Sequence, residues 1–205
     1  MRLCQEIVLG IGGVRALRAL GLAPAVWHVN EGHAAFLILE RMRECVAQGA
    51  SAEVALEAVA AQCVFTTHTP VAAGHDSFPH DLIVQQFGAW FDRLGWPLER
   101  VLELGRAPGV PHEFNMTWLA LAGTRSANGV SRVHGSVSAR LCAPHWPELA
   151  PEQNPVGFVT NGVHLPTFLH QTWADFFDRY LPADWMDRQS DPALWAAVVA
   201  PVVRR

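Results

Sequence analysis

The sequence predicts an α/β fold: an open parallel sheet with flanking helices. Two observations carry this. Three short runs, Ala25–Val29, Cys63–Thr67 and Val156–Thr160, carry the β-branched and apolar residues of buried strands, and stretches of helical periodicity separate them. Each run also ends in a polar cluster, as strands do when ligands bind beyond their carboxyl ends.

Taken in order, residues 2–20 read as two helical pieces around a joint at Gly10, Gly12 and Gly13. The glycines lack the full dinucleotide-binding spacing, and no acidic residue stands where the ribose would need one. Ala34–Gln48 places Phe36, Leu39, Met42 and Val46 at helical spacing, and Gly49 ends it. Ser51 caps a further helix to Ala61. Asp81–Leu94, Pro97–Leu104, Phe114–Thr124 and Val130–Leu141 continue the helical pattern, the last two parted by Asn128–Gly129. Pro144–Pro155 is a loop, and Thr172–Tyr180 and Pro192–Val199 close the chain as helices. No repeat or linker divides the sequence.

Composition narrows the function. Half of the 205 residues are hydrophobic and 17% are charged, a globular balance, and the net charge of −4 offers nucleic acid no basic surface. No apolar run reaches the roughly 18 residues that cross a bilayer. Met1–Gly10 lacks the features of a signal peptide, so the cytoplasm is the expected compartment. Cys4, Cys45, Cys63 and Cys142 are dispersed and read as reduced thiols. Asn115-Met116-Thr117 matches a glycosylation sequon, which carries little weight here. All fifteen basic residues are arginine, so no Schiff base to pyridoxal phosphate can form within the chain.

The candidate chemistry sits in the polar clusters His28-Val29-Asn30-Glu31-Gly32-His33, Thr66-Thr67-His68-Thr69-Pro70 and Thr160-Asn161-Gly162-Val163-His164. Neutral donors and acceptors suit a hydroxyl-rich ligand such as a sugar. Turns between strand and helix also favour Asn, Thr and Gly for backbone reasons alone, so a structural role stays open for each cluster. The first has H-x-x-E-x-H spacing at a strand end, not two histidines on one helical face, and no metal site is expected.

These clusters, with Phe114-Asn115-Met116, Ser126-Ala127-Asn128-Gly129-Val130-Ser131 and Val133-His134-Gly135, resemble in order and spacing the α-glucan (glycogen, starch and maltodextrin) phosphorylases. The resemblance runs from about residue 2 to residue 170, and Gln5–Gly13 brings it closest to the bacterial short form. It implies a Rossmann-like sheet belonging to the N-terminal half of a GT-B glycosyltransferase. It implies transfer of a terminal α-1,4-linked glucose from a glucan to inorganic phosphate, giving glucose 1-phosphate, with pyridoxal phosphate as cofactor. His134 matches the family histidine that contacts bound glucose, and His68 a histidine in the channel beside it. Asn128 and Asn161 match family motifs and read as loop-shaping residues.

The resemblance further implies that residues 1–205 are part of the glucan-side domain, without the cofactor half, so no cofactor-binding residue or complete catalytic set is expected. The isolated chain is then expected to be inactive. A non-catalytic glucan-binding module is the alternative. A nucleotide-sugar transferase of the same fold is disfavoured by the HVNEGH and THTP clusters.

Overall fold

The computed structural model describes residues 2–150 and 153–196. It parts into two compact units, Met1–Asn161 and Gly162–Arg205. The division falls inside the third polar cluster, not at a change of composition.

In the first unit, α1 (Arg2–Ile7) and α2 (Gly13–Ala19) are joined by a π-helical segment, Val8–Gly12, with helical dihedrals at Ile7 and Gly13. The expected glycine joint is therefore a continuous helix with a π-bulge. Packing explains Gly10: a Cβ there would lie 2.8 Å from the backbone nitrogen of Leu37 and 2.9 Å from Phe36 Cβ. Next come β1 (Trp27–Asn30), α3 (Phe36–Ala47) and α4 (Ala52–Ala60). Ser51 caps α4 as expected, its hydroxyl accepting from the Val54 amide at 3.4 Å.

β2 (Cys63–Thr66) leads into a small antiparallel pair, β3 (Ser77–Pro79) with β4 (Glu113–Asn115), around α5 (His80–Phe87) and α6 (Leu98–Glu103). The helix expected over Asp81–Leu94 thus tightens to a 3₁₀ turn from Gly88. Phe114 is in a strand, and the following helix α7 (Met116–Ala122) starts only after Asn115. The Asn115 side chain accepts from the amides of Thr117 and Trp118, so the sequon residue is a helix cap.

A fourth parallel strand completes the sheet: β5 (Ser126–Gly129), followed by α8 (Arg132–Cys142) and β6 (Val156–Phe158). The sequence predicts three strands, with Asn128–Gly129 only a break between helices. Ser-Ala-Asn-Gly has little strand propensity, and its place between β2 and β6 supplies the hydrogen bonds that hold it extended.

The order β1-β2-β5-β6 is parallel throughout and steps in one direction. Right-handed crossovers then bring the connecting helices to one face. Trp27, Val29, Cys63, Phe65, Ala127 and Val156 are buried on that face, in one cluster with Phe36, Leu39 and Leu119. The alternate positions, His28, Asn30, Val64, Thr66, Ser126 and Asn128, point the other way, and His28, Asn30 and Ser126 are exposed. The strands are therefore two-faced where the apolar runs suggested burial on both sides.

In the second unit, α9 (Leu165–Phe168) and α10 (Gln171–Tyr180) gather around Leu181, Trp185 and Leu194. Residues 192–196 are helical. The rest of the helix expected to Val199 lies outside the described residues.

The cysteines are free. Burial pushes the thiols of Cys63 and Cys142 up to about 11, whereas Cys4 is exposed. Iodoacetamide at pH 8 should therefore modify Cys4 in the folded chain and reach Cys63 and Cys142 only after denaturation. Peptide mass mapping before and after urea checks this; equal labelling of all three in the native chain would contradict the burial.

Candidate functional site

The face of the sheet opposite the hydrophobic core carries a hydrogen-bonded row across three strands. Register places Asn30 beside Thr66, and Thr66 beside Asn128. The Thr66 hydroxyl donates to Asn128 Oδ1 at 3.0 Å and meets His28 Nε2 at 2.8 Å. A hydroxyl has one proton, so His28 Nε2 must be the donor. The Asn128 amide donates in turn to the Gly129 carbonyl at 3.1 Å. The chain of donors has one direction, and each member fixes the orientation of the next.

His68 joins this row from the loop after β2, its Nε2 donating to Asn30 Oδ1 at 2.8 Å. Nε2 is therefore committed in both rings, which leaves Nδ1 as the acceptor in the neutral imidazole. Glu31 holds the loop. Its carboxylate accepts from the His68 amide and from the hydroxyls of Thr69 (3.2 Å) and Thr67 (3.4 Å). Its own amide donates to the Thr66 carbonyl at 2.9 Å. Glu31 sits at φ 62°, a left-handed conformation unusual for a residue with a side chain. Glu31 stands within the first polar cluster, and nothing in the residue order announces its positive φ.

Together His28, Asn30, Val64, Thr66, His68, Asn128, Val159 and Asn161 line a concavity of about 370 Å³ at the carboxyl ends of the strands. Asn161 is held there by its amide, which donates to the Val130 carbonyl at 3.0 Å. Asn128 and Asn161, expected to shape loops, thus both face the concavity. A cavity of about 510 Å³ lies at the opposite, amino-terminal edge, lined by Glu57, Arg125, His145 and Trp146 among others. It is larger, but the directed hydrogen-bond row and His68 are on the carboxyl side.

The two predicted binding residues part company. His68 lines the concavity. His134 sits in the first turns of α8 and is half-buried against β5, outside that lining. Its Nδ1 accepts from the Val130 amide at 3.2 Å, so Nε2 carries the proton, and Nε2 is buried without a partner. Ser131 caps the helix by accepting from the His134 amide at 3.1 Å. Gly129 allows the approach: a Cβ there would stand 2.6 Å from His134 Nδ1 and 2.8 Å from the Gly135 nitrogen. Of the third cluster, Thr160 and Asn161 belong to the first unit and His164 to the second, where its Nδ1 meets the Thr167 hydroxyl at 2.6 Å.

His28 and His33 make separate networks, so the first cluster does not act as a histidine pair. His33 Nδ1 lies 3.0 Å from Asp76, with Arg2 and Glu6 close by. Burial, reinforced by neighbouring Asp76, pushes the Glu6 carboxyl up to about 8. Asp76 also feels burial, but the hydrogen bond from Arg2 holds it below the usual carboxylate range.

No protein-family model matches the chain. It is 41% identical over 206 residues to the glycogen phosphorylase of Mycobacterium tuberculosis, and 39% identical over 197 residues to the maltodextrin phosphorylase of Thermococcus litoralis. The glycogen phosphorylase of Aquifex aeolicus is 34% identical over 200 residues. These alignments cover 95%, 96% and 97% of this chain, but 23%, 23% and 28% of the relatives. The four-stranded parallel sheet agrees with the Rossmann-like part of such a protein. Over nearly its whole length the chain therefore belongs to the glycogen and maltodextrin phosphorylase family, spanning about a quarter of the length of the relatives it matches.

Proposed function

We propose that the chain supplies part of the glucan-side domain of a cytoplasmic GT-B phosphorylase. That enzyme moves a terminal α-1,4-linked glucose to inorganic phosphate and releases glucose 1-phosphate. The observation that carries this reading is the directed row His28–Thr66–Asn128, with His68 on Asn30, on the sheet face opposite the hydrophobic core. Such a row presents oriented acceptors and amide donors of the kind that sugar hydroxyls pair with.

In this reading His68 and His134 are the glucose-side residues. His68 Nδ1 accepts from a sugar hydroxyl. His134 is assigned by its match to the family motif; its Nε2–H is buried and lies outside the concavity, so a ligand reaches it only if the first turn of α8 shifts. Pyridoxal phosphate, which the family implies, does not fit the residues of this chain. Its covalent anchor is an amine, and the sequence has no lysine among its fifteen basic residues.

The chain on its own is therefore expected to bind maltoheptaose weakly and saturably by calorimetry, and to release no glucose 1-phosphate from maltodextrin and phosphate. His68→Ala should weaken binding about fivefold, the equivalent of one hydrogen bond near 1 kcal/mol. Clear turnover by the chain alone overturns the partial-domain reading, and binding indifferent to His68→Ala overturns the assigned site.

A further inference from the structure

Arg2, Glu6, His33 and Asp76 form a cluster that the glucan reading does not use. They come from α1, from the turn after Glu31 and from the loop before β3. His33 Nδ1 and one carboxylate oxygen each from Glu6 and Asp76 lie within 4.8 Å of one another. His33 Nδ1 is 3.0 Å from Asp76 Oδ2 and 3.9 Å from Glu6 Oε1. Those separations bracket the roughly 3.4 Å between neighbouring ligands of a tetrahedral zinc ion with bonds of about 2.1 Å.

Two further features turn the cluster inward. Glu6 is 1% exposed, and its cationic neighbour is Arg2, whose Nε stands 3.0 Å from Oε1. Arg2 Nη2 lies 2.7 Å from His33 Nδ1 and 2.8 Å from Asp76 Oδ2. In the tautomer with Nδ1 unprotonated, His33 offers its lone pair to this donor; in the other, Nδ1 donates to Asp76 Oδ2 at 3.0 Å. Three acceptors of the types that first-row metals favour thus converge on a cationic group.

We propose that Glu6, His33 and Asp76 form a binding site for a first-row divalent cation of the zinc class, in which the metal displaces the guanidinium of Arg2. Arg2 stands half-exposed on the first turn of α1, so it can swing into solvent while the core stays in place. The ion would take over the place that Arg2 holds beside the buried Glu6 carboxylate.

Calorimetry of the whole chain with zinc chloride, after treatment with chelator, tests this, with circular dichroism to confirm that each variant is folded. One site per chain is expected. Arg2→Ala should bind zinc about tenfold tighter, and Glu6→Gln and Asp76→Asn should each bind about tenfold weaker or worse. Several weak sites unaffected by Glu6→Gln and Asp76→Asn would mean adventitious zinc on exposed histidines and would overturn the proposal. So would the absence of zinc binding to folded Arg2→Ala. The result is independent of maltoheptaose binding, so either reading can fail without the other.

Discussion

Gly129→Ala should destabilise the first unit by about 3 kcal/mol, at the upper end of overpacking penalties. The added methyl would stand 2.6 Å from His134 Nδ1, 2.8 Å from the Gly135 nitrogen and 2.9 Å from the Gly135 Cα. Two of those atoms are backbone and cannot rotate away. Gly135 has no room behind it either, because its own Cβ position is 2.8 Å from the Gly157 carbonyl oxygen. The strand and α8 must therefore separate, and the Val130–His134 hydrogen bond goes with them. Urea denaturation gives the cost. A substitution tolerated within about 0.5 kcal/mol would mean that α8 does not pack on β5 as described.

The second large effect sets two neighbouring residues against each other. Phe65 is fully buried on the helix-covered face, so Phe65→Ala should cost about 3–5 kcal/mol. Thr66 points to the other face, where its hydroxyl links His28 and Asn128. Thr66→Val keeps the shape and removes that link, and should cost about 1 kcal/mol in stability. Its larger effect should be on maltoheptaose binding, since His28 and Asn128 both lose their orienting partner. Similar stability losses at the two positions would contradict the two-faced sheet.

The strong elements of the fold were legible in the sequence because their signals are local. Ser51 before α4, Gly49 after α3, and the β-branched run before Thr67 each act on their own neighbours. β5 was not legible, because only pairing with β2 and β6 makes a strand of Ser-Ala-Asn-Gly. The same limit hid the roles of Asn128 and Asn161. Whether a strand residue faces helices or solvent depends on register and on which face the crossovers cover, and neither is written in the residues themselves.

At the site, the polar clusters after β1 and β2 were readable, and His68 falls in the concavity that they form. The grouping of Glu6, His33 and Asp76 was not, since it joins one helix to two loops distant in the chain. The motif around His33 could only be judged by its own spacing, which argued against a metal. Ligands contributed from elsewhere in the fold are invisible to that test.

The face of the sheet opposite the hydrophobic core, at the carboxyl ends of its strands, is the one proposed to meet the sugar. Amide chemical-shift mapping during a maltoheptaose titration addresses it directly. The shifts should gather at Asn30, Thr66, His68, Asn128 and Asn161 and leave Glu57, Arg125 and Trp146 at the amino-terminal edge unmoved. Shifts centred on that opposite edge, or none at all in a folded chain at saturating sugar, would contradict it.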